Sequence, residues 1–220
     1  MIHNRAYDLF PLIVWMWVKG RTTSYICETL ELSPRTVAGH LRFIRSRIAD
    51  SWPDYEGQLT GVVHVEAWAY TPRLKLAPPK RHYPPQRPLL LGMLSGEGEL
   101  RLFEISRKSQ QEIHTLIKAH IARGSKLITN KSNVYTGLRR DGFPDLVQRP
   151  TEKFIQCWEA PGKEPNIYSF WNCVRSEMSA ARGVRASNYL SRVREAELRW
   201  AFREKSGISL YLHVLALLVS

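Results

Sequence analysis

The chain has 220 residues, 44% of them hydrophobic, and carries 32 Lys and Arg against 20 Asp and Glu, a formal charge of +12. That length allows one substantial domain, or a small module on a medium one, with a real apolar core. The charge points to a polyanionic partner, of which nucleic acid is the usual one. Three scattered cysteines, Cys27, Cys157 and Cys173, form no C-x-x-C pair and speak against a zinc site or a disulfide framework.

Residues 8–52 read as three helices. "DLFPLIVWMWVKG" stops at Gly20, a natural helix terminator. "TTSYICETLEL" follows, with Ile26, Leu30 and Leu32 apolar. The third, "SPRTVAGHLRFIRSRIADSW", opens with Ser33 as N-cap and Pro34 at the first helical position. Its apolar residues Val37, Leu41, Ile44 and Ile48 share one face. Two helices joined through "ELSP", the second capped and basic, describe a helix-turn-helix. Its second helix would present Arg35, Thr36, Gly39, His40, Arg42 and Arg45 to duplex DNA. No basic-then-apolar leader precedes residue 20, and "FPLIVWMWV" and the tail "ISLYLHVLALLVS" are too short to span a bilayer. The tail reads as a core helix and no membrane partner is expected.

"GVVHVEAWAY" (61–70) starts as a β-branched strand and places the carboxylate of Glu66 in an apolar run. Residues 71–88 hold six of the 13 prolines, which excludes a helix or a central strand. An extended basic loop is expected there, with Lys80 and Arg81 facing phosphates. "LLLGMLS" (89–95) and "ELRLFEI" (99–105) form a hairpin across "GEG". Ser109 opens a helix whose apolar face is Ile113, Leu116, Ile117 and Ile121, closed by Gly124. "KLIT" (126–129) is a short strand, 132–142 a short helix, and "PDLVQ" (144–148) a last strand. Helices follow at 167–182, 187–203 and 208–219. This order is that of a ribonuclease-H-like fold, an α/β mixed sheet with helices. In such a sheet the first and fourth strands lie side by side and the helix after the fifth packs across them. The expected domains are a helix-turn-helix module at 1–55 and a ribonuclease-H-like domain at 56–220.

Four blocks in this order resemble the DDE transposases of small bacterial insertion sequences related to the animal Merlin elements: "GVVHVEAWAY", "LITNKSNVYTGL", "NIYSFWNCVRSEM" and "YLSRVREAELRWAFREK". That family cuts and joins DNA at three carboxylates holding two divalent ions. The matching positions here are Glu66, Asn130 and Tyr168, and only one of them is anionic. The resemblance therefore implies a transposase-derived protein that binds double-stranded DNA and whose triad no longer functions. No metal or other cofactor is expected. Its role would be regulatory, architectural or that of a subunit in a larger DNA-processing or protein complex, and oligomers are allowed. The alternatives are an active transposase with atypical ligands, using Mg²⁺ or Mn²⁺, and a protein-interaction module. Two further groups could serve the active alternative as ligands: Glu164, four residues before Tyr168, and His64, which shares the strand face of Glu66 and would otherwise hydrogen-bond to it. The implied location is the cytoplasm or nucleoid of a bacterium, or the nucleus of a eukaryote.

Overall fold

The computed structural model describes residues 8–51, 55–69, 89–150, 166–180 and 188–219. The chain divides into two compact units, residues 1–53 with 190–220, and residues 54–189.

The first unit begins with α1 (Phe10–Val18), α2 (Thr23–Leu30) and α3 (Pro34–Asp50). Thr22 and Ser33 cap α2 and α3 by accepting from the backbone N–H of Tyr25 and Thr36, which satisfies donors that a helix start leaves open. The turn between these helices closes with Glu31 in the left-handed region at φ 53°. Ile13, Val14 and Trp17 of α1, Ile26 and Leu30 of α2, and Val37, Leu41, Ile44 and Ile48 of α3 form one core.

Residues 190–220, expected in the second domain, pack with this unit instead. They carry most of α6 (Tyr189–Ala201) and all of α7 (Gly207–Val219). Leu210 and Val214 of α7 enter the same core. From α6, the carboxylate of Glu195 accepts from Trp17 Nε1 at 2.9 Å and from Arg45 Nε at 2.6 Å. Arg199 donates to the Trp17 and Val18 carbonyls at the end of α1 and lies over the Trp17 ring. No described helix is long and apolar enough to cross a membrane.

The second unit holds a five-stranded sheet in the order β3-β2-β1-β4-β5, from β1 (Val62–Ala69), β2 (Leu89–Ser95), β3 (Leu100–Ile105), β4 (Lys126–Asn130) and β5 (Leu146–Arg149). β1, β2 and β3 pair antiparallel, and β4 and β5 run parallel to β1. With α4 (Gln110–His120) between β3 and β4 and α5 (Ile167–Ala180) after β5, this is the expected ribonuclease-H-like sheet. Period-two alternation splits β1. Val63, Val65 and Ala67 join Ile113 and Ile117 of α4 in one core. His64, Glu66 and Trp68 face the other way, where Trp171 of α5 stacks on Trp68 at 4.8 Å.

Residues 132–142 differ from the expected helix. Only a single 3-10 turn, Asn133–Tyr135, forms there. Thr136 is extended and Gly137 takes φ 96°, so the chain leaves helical geometry within one turn.

Gly92 stands opposite Glu66 in the β1–β2 register. A Cβ there would lie 2.7 Å from Trp171 Cζ2 and 2.9 Å from Ile167 Cδ1. Glycine thus sets how closely the start of α5 approaches the sheet. Gly92→Val is expected to lower stability by about 1–3 kcal/mol, the usual penalty of overpacking. Gly96→Ala, whose nearest contact is 3.7 Å away, should stay within about 0.5 kcal/mol of the parent. Urea midpoints of the two variants check this, and equal losses would contradict the close-approach argument.

Candidate functional site

Three local features bring Glu66, Asn130 and Tyr168 together. The parallel β1–β4 ladder ends at Val65 and Thr129, so Glu66 and Asn130 are the next residues on both strands and share a face. Asn166 then starts α5: its Oδ1 accepts from the N–H groups of Tyr168 and Ser169, which fixes Tyr168 in the first turn. Where β4 stops, the buried Tyr135 hydroxyl accepts the Ala67 N–H at 3.0 Å and closes the ladder. Burial, with Glu66 adding to it, pushes the Tyr135 phenol well above its usual range despite the Ala67 bond.

Within this corner Asn130 Nδ2 donates to Glu66 Oε1 at 3.3 Å. Glu66 is 6% exposed and Tyr168 8%. Burial pushes the Glu66 carboxyl up to about 7. The Tyr168 hydroxyl, Lys108, Arg175 and Asn130 all favour the anion and limit that rise. Glu66 Oε2 and Asn130 Oδ1 are buried with no donor in full hydrogen-bond geometry among the described residues. His64 is pushed down to about 4 by burial and by Arg149, so its ring is neutral at pH 7. Arg149 pairs with Asn130 across β4–β5.

The donor set can be tested against the two divalent ions that the resemblance implies. Such ions take hard oxygen ligands and need several anionic ones to offset roughly four positive charges. Here one carboxylate, one amide and one phenol stand together, with the cations Lys108 and Arg175 acting on the carboxylate. The residues do not fit that pair of ions. Among the described residues no group of three or more His, Cys, Asp or Glu is placed to hold a metal. Glu164 lies outside the described residues.

The residues expected at DNA fall into three groups. Arg35 and Arg42 are exposed, and Gly39 lies on the same side of α3. Thr36 Oγ1 is bonded to the capping Ser33 Oγ at 2.8 Å. His40 is half-buried against Phe10, with ring centroids 5.1 Å apart, and burial lowers its pKa. Arg45 corrects the expectation most: its side chain is 12% exposed and ion-paired with Glu195, so it builds the unit rather than facing a phosphate. Lys80 and Arg81 lie outside the described residues.

Sequence reasoning missed Asn166, Gly92, Tyr135, Lys108, Arg149 and Arg175. Two of these left a signal. An Asn directly before an apolar helical run is an N-cap pattern, and a glycine inside "LLLGMLS" marks a close approach. The others are visible only once the strands are in register.

No protein-family model matches the chain, and no curated protein matches it. Among solved structures, the catalytic core domain of BIV integrase is similar at 9% identity with a TM-score of 0.37, covering 70% of this chain and 95% of that one. The Mos1 mariner paired end complex with Mn is similar at 10% identity and a TM-score of 0.28, covering 82% of this chain and 72% of that one. A pre-cleavage Mos1 transpososome gives 12% identity and a TM-score of 0.24. Strand order and direction by themselves make the sheet ribonuclease-H-like.

Proposed function

We propose that the chain is a transposase-derived protein, of the insertion-sequence type related to the Merlin elements, that binds double-stranded DNA without cutting it. The observation that carries this is on α3. Arg35 and Arg42 are exposed on one side of a capped helix and make no hydrogen bond or ion pair with any described residue, in a chain of charge +12. Exposed arginines on an outward helix face suit a polyanion. The corner at Glu66 supports the second half of the proposal, because one buried carboxylate beside an amide and a phenol lacks the charge to hold two divalent ions. The role that follows is regulatory, architectural or that of a subunit in a DNA-processing complex.

A duplex selected from a random pool, titrated at several salt concentrations, tests the binding. Arg35 is near the N-terminal end of α3, where base edges are read in a helix-turn-helix. Arg35→Ala is expected to cost about 1–3 kcal/mol on the selected duplex and little on random DNA. Arg42→Ala should weaken both alike and reduce the salt slope by roughly one unit. Unchanged affinity in the double variant would remove α3 from the contact and favour the protein-interaction alternative.

A further inference from the structure

Gly39 sits in the interior of α3, where glycine weakens a helix relative to alanine. The described residues supply no steric reason for it: among them, a Cβ built there meets nothing within 4 Å. Its neighbours on the exposed side are Arg35 one turn before, Arg42 and Phe43 one turn after, and Ser46 beyond them. Phe43 is 46% exposed. Its ring leans on Phe10, at 6.1 Å between centroids, so it is supported from below and open above. A gap without a side chain, flanked by two cations and one propped aromatic, is the profile of a helix that something anionic approaches closely.

We infer that Gly39 marks the point of closest approach of α3 to the floor of a DNA major groove, and that Phe43 reads a thymine methyl group there. The inference rests on the DNA-binding proposal above. The major groove admits a helix and exposes the thymine C5-methyl as its apolar feature, which a Phe can contact. The flanking arginines favour DNA over a protein helix, which would match a lone aromatic with an aliphatic surround.

Three measurements on the full chain test this. Gly39→Ala should raise Tm by about 2 °C, since alanine is the better helix former, and yet weaken binding of the selected duplex by roughly tenfold through a clash at the groove floor. Opposite signs in stability and affinity are not produced by a merely structural glycine. Replacing the thymines of that duplex by deoxyuracil should weaken wild-type binding by roughly fourfold, the worth of one buried methyl group. Phe43→Ala should bind both duplexes alike. If Gly39→Ala binds as tightly as wild type, or wild type ignores the deoxyuracil replacement, the inference is overturned. Should Arg35→Ala and Arg42→Ala still lose affinity in that case, the DNA-binding proposal survives it. A wild-type chain that binds no duplex overturns both.

Discussion

Glu195→Ala is expected to unfold the helical unit or to cost it about 3–5 kcal/mol, the usual loss when one partner of a buried ion pair is removed. Glu195 is 3% exposed. It faces Arg45 at 2.6 Å, Arg199 at 3.3 Å and Arg192 at 3.6 Å, besides the Trp17 indole. Burial alone would push its carboxyl up, but Arg45, Arg199 and Arg192 outweigh that and hold it below the usual carboxylate range. A depressed pKa contributes stability that is present above the unfolded value and is lost as pH falls through the folded one. The loss in Glu195→Ala should therefore be full at pH 7 and shrink in acid. Removing residues 190–220 should have the larger effect, because Leu210 and Val214 leave the core with Glu195. Hydrogen exchange of α1 and α3 amides reads both. A fragment of residues 1–53 protected like the full chain would contradict the account of this unit.

Glu66→Gln has the opposite expected sign. In the unfolded chain Glu66 loses its proton near the ordinary value of 4.5, and in the folded chain near 7. Between these values the native state binds more protons, so stability falls as pH rises, and the deficit is complete above about pH 7. A difference of that size corresponds to about 3 kcal/mol. Glutamine keeps the shape and an acceptor for the Asn130 amide but carries no charge to bury. The variant should be more stable than wild type by about 3 kcal/mol at pH 8 and equal to it at pH 4. Urea unfolding at both pH values checks this. A variant less stable at pH 8 would mean that the native corner stabilises the anion, as it would if a cation were held there.

Much of the sheet could be read from sequence because its signals are local. The β-branched alternation of β1, the "GEG" hairpin and the Ser109 cap each act over a few residues. Glu66 stood out for the same reason, as a carboxylate in an apolar run. The periodicity of α3 gave its buried face correctly, but it could not separate Arg42 from Arg45. That distinction depends on Glu195, 150 positions away, and no helical pattern carries it. The apolar tail was legible as a helix and silent about its address, since a hydrophobic face fits any core of the right shape. The segment 132–142 misled because Gly142 reads as the stop of a helix, while Gly137 inside the segment takes a positive φ of 96° and turns the chain away.

As proposed above, this chain holds DNA and has no working metal centre. The most direct test is one titration of the selected duplex, and of supercoiled DNA, with Mg²⁺, with Mn²⁺ and with chelator. Binding should fall steeply with salt, persist in chelator without need of either ion, and leave the supercoiled DNA intact. Metal-dependent nicking that disappears in Glu66→Gln would contradict the account and show an active enzyme with an unusual ligand set.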